Sequence, residues 1–336
     1  MVKIAIIGSG FIGNVHLEAF NNISNAKVVA IADSNEEKGR EAAAKAGADF
    51  YNDIESLIKQ SDADAIDICT PTFMHADMVR KAASSGKHIL CEKPLALDLK
   101  EADEMVKAVK ENNVKGMVGH VLRFWPQYVA AKKIIDSGSL GKAYHAFCER
   151  LCVTPGWSWK GWMTDEKRSK GAPVDMQIHD LDYLIWLFGP PKTVKAQGVF
   201  STELNSYMHV GTTVEFESGQ SGLTEAGYGF KGEFPFTMVL RVLCEKGTVE
   251  WIYRAGKTIG ERDEEFEPVV YLEDGSMYKP EYEHKDPYFL ECKYFVDCIE
   301  NDTEITQATF EQGRASLQLA LASFESAKKG TVVTIR

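Results

Sequence analysis

Over the N-terminal third of the chain, short apolar runs alternate with longer amphipathic stretches. Val2–Ile7, Lys27–Ala32, Ala65–Cys69, His88–Cys91 and Lys115–Val118 are short, apolar and bounded by turn residues. That is the pattern of strands buried on both faces of a parallel sheet. The stretches between them carry helix signals. Ser34 with Glu37 has the form of a capping box, and Asp98 with Glu101 is its acidic version. Gly47 and Gly86 stand where helices should stop. Strand–helix alternation of this kind predicts a doubly wound parallel sheet.

After Arg123 the texture changes. The pattern predicts a helix over Pro126–Ser137, a strand over Ala143–Arg150, and then a loop rich in Trp, Gly and Lys. Gly171–Phe188 reads as one helix with Pro173 near its first turn. Strand-like runs at hairpin spacing fill 192–253, among them Val194–Phe200, Gly211–Phe216 and Gly222–Tyr228. Two helices, Pro287–Glu300 and Thr309–Lys328, close the chain. The expected fold class is therefore α/β followed by α+β. A Rossmann-type domain would occupy residues 1–122, and a domain with a largely antiparallel sheet residues 123–336, with the boundary near Gly119–Pro126.

Composition narrows the function classes. The chain has 336 residues, 44% hydrophobic and 26% charged, a globular balance with length for two domains. A net charge of −11 repels phosphate backbones and argues against a nucleic-acid partner. The carboxylate-rich run Glu261–Glu267 reads as a solvated loop. The first apolar run ends at Gly8, too early for a secretory h-region, and no run approaches the ~18 apolar residues of a membrane span. The expectation is a cytoplasmic protein with no membrane partner. Seven cysteines contain no CxxC pair, and Cys148 and Cys152 lack metal-ligand spacing. Buried reduced thiols and no bound metal are expected.

Gly8-Ser9-Gly10-Phe11-Ile12-Gly13 is a GxGxxG directly after a strand and at the head of a helix. Gly8 would allow the tight turn, Gly10 the approach of a pyrophosphate, and Gly13 close helix–strand packing. The helix start, with Phe11 and Ile12, would offer free N–H groups to the anion. Asp33, at the end of the second strand, can accept hydrogen bonds from both adenosine-ribose hydroxyls and would repel a 2′-phosphate. No arginine follows it closely, so the expected cofactor is NAD. Thr70 and Pro71 end a strand at its carboxyl edge, where such sheets bind ligands.

More specific segments follow. Cys69-Thr70-Pro71-Thr72-Phe73-Met74-His75, then Gly86-Lys87-His88-Ile89-Leu90-Cys91-Glu92-Lys93-Pro94-Leu95, together resemble the glucose–fructose oxidoreductase/inositol dehydrogenase/rhizopine-catabolism (Gfo/Idh/MocA) family. So does Asp175-Met176-Gln177-Ile178-His179-Asp180-Leu181-Asp182, followed by Trp186-Leu187-Phe188-Gly189. The resemblance runs essentially from end to end. It implies a Rossmann domain, an open-faced sheet domain that carries substrate binding and oligomerisation, an active site in the cleft between them, and a homodimer or homotetramer. It also implies that Lys93 lies beside the nicotinamide and the substrate hydroxyl, that Asp175 and His179 complete the site, and that Pro94 follows a cis bond. The chain departs from common family patterns at Thr72, Ala172-Pro173-Val174, Gln177, His120 and Leu122.

The chemistry can also be read from the residues. Oxidising a secondary alcohol removes a hydride from carbon and a proton from oxygen, so the site needs a base and a cation or donor for the developing alkoxide. His179 suits the base because histidine titrates near neutrality. Lys93 can hold the oxygen or join the proton relay. Asp175 and His179, four apart on a predicted helix, would share a face that Asp182 extends. Asp175 would orient the imidazole or bind a neighbouring hydroxyl. Glu92 pins the turn that presents Lys93 or contacts the cofactor. His75 packs near the cofactor's edge. Arg123 contacts substrate or closes the domain interface. Trp157, Trp159 and Trp162 stack on a sugar face, cover nicotinamide or pack the loop. His284 is a further pocket candidate. The expected activity is NAD-dependent hydride transfer at a hydroxyl of a polyol, inositol or sugar. The alternatives are an NAD-assisted glycoside hydrolase and a nucleotide-binding sensor without turnover. No Cys/His set suits a zinc alcohol dehydrogenase.

Overall fold

A computed structural model of the protein describes residues 1–156, 158–256 and 264–335. The first half of the alternation is β1 (Val2–Ile7), α1 (Phe11–Asn21), β2 (Ala26–Ala32), α2 (Glu36–Ala46), β3 (Asp49–Tyr51), α3 (Ile54–Gln60), β4 (Ala65–Ile68), α4 (His75–Ser84), β5 (His88–Glu92), α5 (Leu99–Glu111) and β6 (Gly116–Gly119). Then come α6 (Pro126–Asp136), β7 (Ala143–Val153), α7 (Glu166–Ser169), α8 (Ala172–Asp175), α9 (Ile178–Phe188), β8 (Pro191–Ser201), β9 (Ser206–Phe216), β10 (Ser221–Phe230), β11 (Thr237–Cys244) and β12 (Gly247–Arg254). Short strands β13 (Glu264–Glu265), β14 (Val269–Leu272) and β15 (Met277–Tyr278) precede α10 (Pro287–Glu300), α11 (Phe310–Lys329) and β16 (Val333–Thr334).

These elements form two units. One comprises Met1–Phe124 and Lys285–Arg314, the other Trp125–His284 and Ala315–Arg336. The first break falls within the expected Gly119–Pro126 segment. The assignment of all of 123–336 to the second domain differs from this division, because residues 285–314 pack with the first unit. The reason is the apolar face of α10: Cys292, Phe295 and Val296 are buried in one core with Ile4, Ile6, Leu17, Phe20 and Ile31. The chain after α10 also satisfies the sheet edge, where the Val118 N–H donates to the Ala308 carbonyl at 2.7 Å.

The first unit holds a six-stranded sheet in the order β3-β2-β1-β4-β5-β6, parallel throughout. The order reverses beside β1 and β4, so the loops after their carboxyl ends form the switch point where such sheets take ligands. Asp98 caps α5 as expected, accepting from the Glu101 N–H. The cap of α2 is Asn35 and not Ser34; the Asn35 side chain accepts from the Lys38 N–H at 3.1 Å. Asp33 takes the Asn35 N–H at 2.7 Å, which fixes that residue in the capping position.

The second unit carries a sheet in the order β15-β14-β12-β11-β7-β10-β9-β8-β16, with β13 on β12. Among the described residues, β7 with β10 is the one parallel pairing of this sheet. Its core is aromatic: Tyr128 meets Tyr183 edge-on at 4.7 Å and Trp251 at 5.3 Å. The strands also expose apolar side chains. Leu243 and Tyr271, both cross-strand neighbours of Thr248, are 51% and 42% exposed. All seven cysteines are buried and unbridged, matching the sequence expectation. Among the described residues, no helix is long and apolar enough to cross a membrane.

Candidate nucleotide and hydride-transfer site

The glycine loop leaves β1 and enters α1. Gly8 has φ +94°, and a Cβ there would sit 2.7 Å from the Cys69 carbonyl oxygen. A Cβ on Gly13 would lie 1.9 Å from the Gly8 carbonyl oxygen. These two glycines are required by the fold itself. Gly10 is different: its φ is −71°, and a Cβ would meet nothing within 4 Å. The chain does not need glycine there, but a ligand lying on the backbone would. No side chain caps α1, and its first turn holds no acidic residue, so the N–H groups remain suited to a pyrophosphate. Phe11 is 42% exposed beside them, and Ile12 packs against the core.

Asp33 lies at the end of β2. Its Oδ2 accepts from the Ser9 N–H and Oγ–H, both at 2.7 Å, while Oδ1 takes the Asn35 N–H. Both lone pairs of Oδ2 are thereby engaged, and Oδ1 keeps one for a ribose hydroxyl. Arg40, the nearest arginine along the chain, is paired with Glu36 at 2.8 Å and lies over the Phe50 ring. The glycine loop, the open space at Gly10 and Asp33 together fit NAD. Gly10→Ala is therefore expected to keep the thermal midpoint but weaken NAD binding by about tenfold or more, equivalent to ~1.4 kcal/mol. Gly13→Ala should instead lower the midpoint. Differential scanning fluorimetry with and without NAD separates the two.

Thr70 and Pro71 follow β4 at the same edge, both half-buried. His75 starts α4 and is fully buried. Its Nδ1 lies 3.0 Å from the Pro94 carbonyl oxygen and its Nε2 2.8 Å from that of Thr70. Through these contacts it braces the two loops against each other. Beyond β5, the Lys93–Pro94 peptide is cis and Lys93 is half-buried. Glu92 is buried, and its Oε2 accepts the Lys93 N–H at 3.0 Å, which is the turn-pinning option. Arg123 is buried and donates to the Gln312 Oε1 at 3.1 Å.

In the second unit, the expected single helix over 171–188 is two helices, α8 and α9, broken at Met176–Gln177. The Gln177 N–H closes a wide turn on the Ala172 carbonyl at 2.9 Å, so the i→i−4 ladder is interrupted between Asp175 and His179. Asp175 is buried at the end of α8, and His179 is half-buried in the first turn of α9. Three buried polar contacts fix this break. Gln177 donates to Thr224 Oγ1 at 2.7 Å and accepts from Thr212 at 3.0 Å and Ser323 at 2.9 Å. Asp180 takes both a 3.1 Å bond from Arg150 Nε and a 3.1 Å bond from Nη2. Burial pushes its carboxyl above the usual range, against the pull of Arg150. Asp182 is fully buried and accepts from Ser316 at 2.6 Å; it anchors α9 and does not extend an Asp175–His179 stripe.

Trp162 is half-buried in a 3₁₀ turn, and Trp159 is 44% exposed with Lys160 Nζ 4.6 Å from its ring. Trp157 and the 261–263 part of the acidic run lie outside the described residues. His284 is exposed beside the Tyr282 ring.

Sequence reading missed a buried cluster under the glycine loop. His16 Nδ1 lies 2.9 Å from Asp67 Oδ2, which also accepts from Cys69 Sγ at 3.3 Å. His16, Asp67 and Cys69 stand close enough to share a metal ion. Burial pushes the Cys69 thiol far up, and the three groups are already joined by hydrogen bonds. Asp67 was detectable as a lone carboxylate inside an apolar run, and His16 as a polar residue on the helix that follows GxGxxG.

The parallel sheet, the glycine loop and the ribose-side carboxylate define a Rossmann dinucleotide-binding protein. Residues 2–120 match the oxidoreductase family with an NAD-binding Rossmann fold, and residues 128–250 match the Gfo/Idh/MocA C-terminal domain. The chain belongs to the Gfo/Idh/MocA oxidoreductase family. It is 28% identical to an inositol 2-dehydrogenase of Rhizobium meliloti, over 99% of both chains. It is 27% identical to a scyllo-inositol 2-dehydrogenase (NAD(+)) of Bacillus subtilis, over 99% of this chain and 96% of that one. The crystal structure of myo-inositol 2-dehydrogenase from Lactobacillus plantarum superposes with a TM-score of 0.84 at 26% identity, covering 100% of this chain and 99% of that one.

Proposed function

We propose that this protein is an NAD-dependent dehydrogenase that oxidises a secondary ring hydroxyl of a cyclic polyol of the inositol class. The observation that carries the reading is an NAD-compatible glycine loop with Asp33 in a chain that contains Lys93, Asp175 and His179 and is similar over nearly its whole length to inositol dehydrogenases. Bound NAD supplies the hydride acceptor. His179 takes the hydroxyl proton as general base from its half-buried place at the head of α9. Lys93 donates to the oxygen as negative charge develops on it. Asp175 orients His179 or binds a neighbouring hydroxyl. Thr70 and Pro71 line the cofactor side, and Trp162 the substrate side. An inositol and sugar panel assayed with NAD, read as NADH absorbance, tests the reading. Product formation without net NADH would replace it with NAD-assisted hydrolysis, and no turnover with intact NAD binding with a sensor.

Cofactor choice rests on Asp33. The wild type is expected to favour NAD over NADP in kcat/KM, and Asp33→Ser with Ser34→Arg to move that preference toward NADP. Equal wild-type values for the two cofactors would refute the assignment. The exposed Leu243–Tyr271 side of the second sheet supports assembly into a homodimer or homotetramer, which light scattering would reveal. Seven unbridged thiols suit a cytoplasmic setting.

A further inference from the structure

The cluster beneath the glycine loop reaches Lys93 through three contacts. Asp67, in the last turn-ward half of β4, holds His16 Nδ1 at 2.9 Å. The other ring nitrogen, Nε2, faces Glu92 Oε1 at 3.4 Å. The second oxygen of Glu92 accepts the Lys93 N–H at 3.0 Å. His16 and Asp67 are fully buried, and Glu92 is 6% exposed. A neutral imidazole has one N–H and could serve only one of the two carboxylates; the other would face a lone pair. Doubly protonated, the ring donates toward both and lowers the cost of burying two anions. Gly119 makes room for this arrangement: a Cβ there would lie 2.8 Å from Glu92 Oε1.

We infer that His16 is a positioning residue, an imidazolium that ties Asp67 to Glu92 and through Glu92 fixes the backbone from which Lys93 projects. The inference rests on the role given to Lys93 above. Every element packed around His16 contributes to its charge state. From β4 comes Asp67 and from just after it Cys69, from β5 Glu92, and from α10 Tyr288, Glu291 and Cys292; on its own helix the neighbour is the Phe20 ring. Burial, the largest single influence, opposes a charge on His16, and Asp67, Cys69 and Cys292 together more than offset it, holding the imidazole well above its ordinary value. Burial likewise pushes Glu92 up, and His16 and Lys93 more than offset it, leaving the carboxyl below its ordinary value. Glu291 is fully buried, and burial pushes its carboxyl well above its ordinary value, against the pull of His16. The sign of the linkage follows. The stabilisation from His16 is complete below its ordinary value of 6.5 and is lost only as pH rises through the raised value.

The experiment has two arms. In the first, ¹⁵N-histidine NMR of the wild-type holoenzyme follows the His16 ring, assigned through bonds to its backbone. Both ring nitrogens should stay protonated across the range in which an ordinary histidine, near 6.5, becomes neutral. A neutral His16 at neutral pH overturns the inference without any variant having to fold. In the second, His16→Gln, Glu92→Gln and the double variant are compared by kcat and by NADH affinity. Displacing a reacting group by an ångström can cost about 10²-fold. Each single variant should therefore lose kcat by up to that factor with NADH affinity within a few-fold. The double variant, in which Glu92 is no longer an anion stranded by the loss of His16, should lose less than the product of the two. Multiplicative losses, or a folded His16→Gln with normal kcat, overturn the inference. Lys93→Ala in parallel keeps the readings apart: if it stays active, the role of Lys93 fails, while the NMR arm still decides the state of His16.

Discussion

Lys93→Ala is expected to abolish measurable turnover while NADH still binds. Three observations lead to this. Lys93 follows β5 at the carboxyl edge of the sheet, where doubly wound folds place ligands. Its N–H is fixed by Glu92, and the carbonyl of the next residue, Pro94, is braced by His75, so the residue stands on a restrained loop. The dinucleotide contacts assigned to Gly8, Gly10, Gly13 and Asp33 do not involve it. Removing one donor from an oxyanion-type site costs about 10²–10³ in kcat. A lysine that also joins the proton relay would cost more. Fluorescence titration of NADH and a steady-state assay at saturating cofactor give the two numbers. If affinity collapsed while turnover at saturation survived, Lys93 would be a cofactor ligand and the assignment would be wrong. Lys93→Arg is not expected to restore activity, because a planar fork cannot occupy the place of a compact ammonium.

How far the fold was legible depends on how local each determinant is. The parallel sheet was readable because its strands are apolar on both faces and each is bounded by a turn signal. The registers of β1 with β2 and β4 follow those runs closely. The break at Gln177 was not readable. Both short helices are apolar, both fit a helical period, and the residues that fix the wide turn are Thr212, Thr224 and Ser323, far along the chain. The return of 285–314 to the first unit was hidden for a similar reason. The apolar face of α10 shows that it must be buried, but not in which core. At the start of α2, several adjacent residues can cap, and the choice of Asn35 depends on Asp33 being engaged by Ser9.

The same distinction runs through the candidate site. The glycine loop and the Glu-Lys-Pro segment are contiguous, so their chemistry can be read in place. Asp67 and His16 are 51 residues apart and meet only because β4 lies next to β1, whose following helix carries the histidine. Glu291 comes from the distant α10. Asp182 looked like an extension of the Asp175–His179 face; the structure buries it on Ser316 and buries Asp180 on Arg150. They hold the helix that carries His179. Breaking a buried pair such as Arg150–Asp180 typically costs about 3–5 kcal/mol, so a loss of activity in variants there must be separated from a loss of fold.

His179→Ala should lower kcat by about 10²–10⁴, the usual effect of losing a general base. The residue is half-buried in the first turn of α9, on a helix pinned by Gln177, Asp180 and Asp182, so its placement is fixed by buried polar contacts. For alcohol oxidation the base must be unprotonated. The wild-type kcat should therefore fall as pH drops through the histidine's pKa, which for an unperturbed imidazole is about 6.5. In His179→Ala this acid limb should vanish or move. Asp175, on the other side of the helix break, gives the second half of the test. Asp175→Asn should shift the same limb if it orients the imidazole, or raise KM with the limb unchanged if it holds a substrate hydroxyl. The break makes the first outcome a demand on geometry, since the two residues do not sit one helical turn apart on a continuous ladder. Near-normal kcat in His179→Ala with an unchanged acid limb would mean that the proton leaves by another route. Lys93, acting through a water or a neighbouring substrate hydroxyl, would then carry it.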